Sequence, residues 1–184
     1  MNTHMKTYMS FFRTFMAALI VASLLYAAVP VRVAHAATFE VNNSGDNGDD
    51  DPLDGVCDDG FGACTLRAAI EQANYVNDAD LIQFSGSMTI SLPGPTPLPT
   101  ISESVTIDGT GYNIVIDASL VVGNGFTISA NNVTIRGLEL FGPGGHGIHM
   151  AGVSTVLIDD MLLYNGTGVT GDGINMSGVT GVTV

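Results

Sequence analysis

Seven aspartates stand within fourteen positions, at Asp46, Asp49, Asp50, Asp51, Asp54, Asp58 and Asp59. Carboxylates at that density suit a hard cation such as Ca2+, which takes roughly six to eight oxygen ligands. Asp46, Asp49, Asp50, Asp51 and Asp54 are therefore candidate Ca2+ ligands, and Ca2+ is the one cofactor the sequence brings into question. Their spacing lacks the terminal glutamate of an EF-hand loop, so a hydrated acidic loop is the alternative. A second set, Arg136, His146, His149, Asp159 and Asp160, could contact a sugar, because carboxylates, imidazoles and guanidinium groups bond hydroxyls. Two carboxylates could also supply the acid and base of glycoside hydrolysis, but neighbouring residues on one strand point to opposite faces. Arg136, the one basic residue in this half of the chain, is expected to turn a corner and pair with Glu139 or Asp159. No complete catalytic set is present in residues 37–184, and no residue is assigned a catalytic role.

The remaining reactive pair is Cys57 and Cys64, seven positions apart. Whether they pair depends on where the protein works, and the N-terminus speaks to that. Lys6 and Arg13 precede an apolar run from Phe15 to Val29, followed by Ala34-His35-Ala36, the order of a secretory signal peptide with a small-residue cleavage site. The expected leader is residues 1–36, with an uncleaved anchor as the alternative; after cleavage no membrane span is expected. Export places the cysteines where disulfides persist, so a staple is expected in preference to a free thiol or a metal site, and no histidine lies near them in sequence. Of the five basic residues only Arg67 and Arg136 fall after residue 36, against all 18 Asp and Glu. The formal charge of that part, two minus eighteen, is −16. Such a surface repels nucleic acid and anionic lipid.

These side chains need a scaffold, and the sequence repeats in a way that supplies one. Val133-Thr134-Ile135 recurs as Val156-Leu157-Ile158 and as Val182-Thr183-Val184, while Gly147-Ile148-His149-Met150 recurs as Gly173-Ile174-Asn175-Met176. Each repeat holds about three strands too short to pair within themselves, so each must stack on its counterpart in the next repeat, as in a parallel β-solenoid. Val133, Ile135, Val156 and Ile158 should point inward, Thr134 and Leu157 outward. Since Asn175 occupies the position of His149, that histidine reads as an outward rung position. Asn131, Asn132, Asn165 and Asn175 read as turn or ladder residues. Upstream, Leu66, Ala69, Ile70 and Ala73 fall at helical spacing behind Thr65, a suitable N-cap.

The stretch Asp54-Gly55-Val56-Cys57, followed by Cys64-Thr65-Leu66-Arg67-Ala68-Ala69-Ile70-Glu71-Gln72-Ala73-Asn74, resembles the CSLREA domain, found at the N-terminus of exported bacterial proteins and commonly before pectate-lyase-like β-helices. The resemblance covers roughly residues 38–85. Thr65 stands where the family has Ser, and Ala68 where it has Glu, so the capping box loses its carboxylate half. Restoring it with Ala68→Glu is expected to stabilise the helix, and the motif reads as structural: it covers the open end of the solenoid. Gly145-His146-Gly147 and Asp159-Asp160 are similar to two motifs of polygalacturonases on that fold, but they occur here in reversed order and without their partner motifs.

The expected protein is all-β: a right-handed parallel β-helix with a short N-terminal capping helix, after a signal peptide. Its parts are a leader (1–36), a CSLREA-like cap (37–85) and β-helix repeats (86–184) expected to be incomplete at the C-terminus. It is expected in the secreted or cell-envelope fraction, in adhesion or polysaccharide binding without catalysis in this segment. The alternative is a polysaccharide lyase or hydrolase of the pectate-lyase-like superfamily with its catalytic rungs beyond residue 184.

Overall fold

Inward-facing Val and Ile at every second position, broken every few residues by Gly, Asn or Asp, build a stack of short parallel strands. A computed structural model describes residues 15–16, 36–75, 78–164 and 171–184. The chain divides into two units, Met1–Val33 and Ala34–Val184. Of the first unit only Phe15 and Met16, in helical backbone, are described; apart from these and Ala36, the expected leader lies outside the described residues. Among the described residues no helix is long and apolar enough to cross a membrane.

The second unit is a parallel β-solenoid of about four turns, and parallel crossover connections take the right hand. Its strands are β1 (Thr38–Val41), β2 (Asp80–Phe84), β3 (Met88–Ser91), β4 (Val105–Asp108), β5 (Ile114–Asp117), β6 (Phe126–Ile128), β7 (Val133–Phe141), β8 (Ile148–Ala151), β9 (Val156–Tyr164) and β10 (Ile174–Ser177). Three walls result. The first stacks β1, β2, β4 and the opening halves of β7 and β9. The second stacks β3, β5 and the closing halves of β7 and β9, and the third β6, β8 and β10. All pairings are parallel, with Val133 on Val156 and Ile148 on Ile174.

Val133, Ile135, Val156 and Ile158 are buried while Thr134 and Leu157 are half-exposed, as the alternation requires. Ile107, Ile116, Phe126, Leu140 and Met150 continue the core through successive turns. In the last turn the equivalent positions Met161, Leu163 and Ile174 are only half-buried.

Within β7 and β9 the corner is a single residue in left-handed backbone. Gly137 (φ 67°) separates the halves of β7, and Asp160 (φ 47°) those of β9. Asn132 and Thr155, also at positive φ, stand just before β7 and β9. At Gly137 nothing larger fits: a Cβ would lie 2.6 Å from the Thr110 amide nitrogen and 2.9 Å from the Gly109 carbonyl carbon. The corner also corrects one expectation. Asp159 and Asp160 do not point to opposite faces; both are exposed, because strand alternation lapses at a left-handed residue.

The N-terminal end is built from the cysteine loop and helix α1 (Leu66–Ala73). Thr65 caps the helix by accepting from the Ala68 amide at 3.0 Å, and its hydroxyl donates to the Asn47 carbonyl at 2.6 Å. Leu66, Ala69, Ile70 and Ala73 join the solenoid core. Ala68 is completely buried, so the glutamate of a capping box has no room here and the expected gain from Ala68→Glu is withdrawn. Cys57 and Cys64 form a disulfide, with their Cα atoms 5.2 Å apart.

Candidate functional site

Between β4 and β5 the chain takes five residues, 109–113, to make the corner that β7 makes with Gly137 alone. The Thr110 amide and hydroxyl both donate to Asp108 Oδ1, at 3.0 and 2.7 Å. Gly111 adopts φ 87°, and the Tyr112 amide donates to the Gly109 carbonyl at 3.2 Å. This tight turn pushes Tyr112 out of the wall, where it is 48% exposed. Its ring stands between two grooves. One is lined by Glu40, Gln83, Ser85 and Asp108, the other by Asn113, Glu139, Asp160 and Leu162.

Register places Glu40, Gln83, Asp108, Arg136 and Asp159 in one outward row. Gln83 Nε2 donates to Glu40 at 3.4 Å, and an Arg136 NH2 nitrogen donates to Asp108 Oδ2 at 2.6 Å. Arg136 therefore pairs with Asp108, not with Glu139 or Asp159 as expected. In-register stacking brings residues a full turn apart side by side, whereas Glu139 lies beyond the corner; Asp159 adds attraction from the next rung. Burial opposes charge on Asp108, but the Arg136 and Thr110 hydrogen bonds outweigh it and hold the carboxyl below its usual value. The same bond and charge raise the Arg136 guanidinium further. A cation so held is suited to binding and orienting.

His149 lies on the third wall and His146 in the connection that leads into it, apart from that row. Their rings stack at 5.7 Å. His146 Nδ1 accepts from the Asp172 amide at 2.9 Å, and His149 Nδ1 is 3.0 Å from Asn175 Oδ1. The His146 amide donates to Asn124 Oδ1 at 3.0 Å. His149 sits in register with Asn175, the outward rung position read from the repeat. Asn131 Oδ1 accepts from the Ser154 amide at 2.7 Å and its hydroxyl at 3.0 Å, joining successive turns; Asn165 lies outside the described residues.

Four of the five candidate Ca2+ ligands have carboxylates engaged within the protein, and the fifth, Asp50, is held through its backbone. Asp46 takes a two-pronged contact from Arg67, at 2.9 and 3.0 Å, and Arg67 also donates to the Pro97 carbonyl at 3.0 Å. Asp49 accepts from the Asp51 and Asp58 amides, Asp51 from Leu53, and Asp54 from Val56, while the Asp50 amide donates to the Asp58 carbonyl. The loop folds on itself through carboxylate-to-amide turns. Among the described residues no three His, Cys, Asp or Glu side chains gather so as to hold a metal ion, and no chemistry is assigned through one.

Polar residues of α1 and its C-cap act as braces. Arg67 holds Asp46 and Pro97, Glu71 accepts from the Asp49 amide at 2.7 Å, and Asn74 bonds both Thr100 and Ser102 at 2.8 Å. Two features escaped the sequence reading. Tyr112 was signalled only by the turn-forming run Asp108-Gly109-Thr110-Gly111-Tyr112-Asn113. The pair Phe141 and Tyr164, stacked at 4.9 Å on the outer side of the second wall, required knowing the register. Comparison with models of known families finds none that matches this chain, and comparison with curated proteins finds no match either.

Proposed function

We propose that the chain is an exported protein, secreted or held at the cell surface, that binds polysaccharide on the outer wall of its β-helix without catalysis in residues 37–184. The leader pattern in residues 1–36 and the resemblance of residues 38–85 to a domain of exported proteins support the address. The observation that carries the binding role is the Tyr112 ridge between two polar grooves. An aromatic ring packs on the C–H face of a sugar while neighbouring carboxylates and amides take its hydroxyls. Phe141 and Tyr164 extend the aromatic surface on the second wall. With a formal charge of −16 after residue 36 and Arg136 already committed to Asp108, the preferred ligand is a neutral glycan rather than a polyuronate.

Native gel electrophoresis through neutral and acidic polysaccharides tests this. The wild type should be retarded by a neutral polymer, and Tyr112→Ala should weaken the association about tenfold, near 1.4 kcal/mol. Equal retardation of both proteins, or none of the wild type by any polymer, would overturn the assignment. Release of new chain ends from the polymer would favour a lyase or hydrolase instead.

A further inference from the structure

Of the two acidic side chains buried in the solenoid unit's described residues, Asp59 and Asp80, the first is well provided for. Asp59 accepts from the Phe61 and Ala63 amides and from Asn43 Nδ2. Asp80, at the start of β2 and 3% exposed, accepts from the Ala37 backbone nitrogen at 2.7 Å. A neutral amide compensates a buried carboxylate poorly. Burial accordingly raises the Asp80 carboxyl, the Ala37 bond lowers it, and nearby Asp78 raises it again. Ala37 is fixed in place: its carbonyl accepts from the Leu81 amide at 2.9 Å, and Thr38 pairs with Leu81 at the head of β1. Ala36 is exposed.

The nitrogen at Asp80 thus belongs to the residue that follows the Ala34-His35-Ala36 triplet. Hydrolysis of the Ala36–Ala37 bond adds one water: Ala36 leaves as a carboxylate, and the Ala37 nitrogen becomes an amine that takes up a proton at neutral pH. We infer that the α-ammonium of Ala37, freed when the leader is cut after Ala36, binds Asp80 as a buried ion pair and so locks the first strand of the solenoid. Cleavage converts a one-proton neutral donor into a cation beside an under-compensated carboxylate, and charge-assisted bonds are roughly twice as strong as neutral ones. Processing then both releases the protein and seals the end of β1, which α1 and the disulfide loop leave as the solenoid's first rung. The inference rests on the export reading.

The test uses the absence of lysine after Lys6: in the processed chain the α-amine is the sole primary amine. The full-length gene is expressed in an exporting host and the exported product weighed intact. It is then acetylated at neutral pH, with the rate followed by mass and compared with that of the free peptide Ala-Thr-Phe-Glu-Val and of Asp80→Asn. A start at Ala37 with acetylation about tenfold slower than in the peptide supports the ion pair. That is the factor by which a one-unit rise in amine pKa lowers its reactive fraction. Asp80→Asn should restore the peptide rate; should that variant fail to fold, the peptide and Asp78→Asn, which should stay slow, serve as references. A start at Ala37 with wild-type acetylation as fast as the peptide overturns the inference while leaving export intact. Cleavage at another bond also overturns it, and full retention of the leader sinks the export reading as well.

Discussion

Replacing Gly137 by alanine tests the corner geometry at its tightest point. Two costs are separable there. A left-handed backbone costs an L-residue roughly 1–2 kcal/mol. The added Cβ also meets the Thr110 nitrogen at 2.6 Å and the Gly109 carbonyl carbon at 2.9 Å, both backbone atoms of the rung below that no rotamer change can move, and such overpacking costs roughly 1–3 kcal/mol. The sum is about 2–5 kcal/mol, or roughly 4–20 °C in Tm at the 2–4 °C per kcal/mol typical of a domain this size. Gly152 is the internal control, since it has the same backbone (φ 66°) but open space where a Cβ would stand, with nothing within 4 Å. Gly152→Ala should lose the conformational cost alone, about 1–2 kcal/mol. Thermal and urea unfolding of both variants, followed by far-ultraviolet circular dichroism, gives the comparison. Equal losses would mean that the Gly109–Asn113 turn yields easily, and the claim that stacking fixes this corner would be refuted.

Three further outcomes are expected. Intact mass under non-reducing conditions should be two protons lighter than after reduction, and reduction should destabilise the N-terminal end by about 2–3 kcal/mol; free alkylation of Cys57 and Cys64 would contradict the bridge. Ala68→Glu should lower stability by at least about 2 kcal/mol, because it forces a carboxyl into a fully buried position, and a raised Tm would reinstate the capping box. Double-mutant cycles of Asp108→Asn with Arg136→Gln should show coupling at neutral pH. Because the folded Asp108 carboxyl titrates below its ordinary value, that coupling should persist through mild acid and vanish only as pH falls through the depressed value; loss of coupling already above pH ~5 would contradict the pairing.

The repeat was legible because the forces that make it are local. Inward Val133, Ile135, Val156 and Ile158 and the recurring Gly-Ile pairs must fall at fixed spacing for strands to stack, so fold class and inward residues follow from the chain alone. The helix cap at Thr65 and the cysteine pair were legible for the same reason. Contacts between rungs were not. Arg136 meets Asp108 across a sequence separation of 28, while the neighbouring rung repeats at 23 between Val133 and Val156. Most of the excess is the Gly109–Asn113 turn that presents Tyr112, five residues where β7 uses Gly137 alone, so the candidate site lies at the main departure from the period. Positive φ at Asp160 and Thr155 was likewise hidden, since neither residue type announces a left-handed corner as glycine does. The acidic run shows carboxylate density but not direction: in the folded loop the oxygens of Asp49, Asp51 and Asp54 turn toward backbone amides.

Parallel stacking in strict register makes the solenoid a ruler. Each turn advances by one strand spacing, about 4.8 Å, and repeats its outward chemistry at that interval, as in the series Thr127, His149 and Asn175. A turn inserted or deleted changes the length by a fixed step while leaving every cross-section as it was. A corner loop, by contrast, grows sideways without disturbing the graduation, as the five residues around Tyr112 already do. Reach along the axis and shape across it are thereby independent, and selection can tune one without retuning the other.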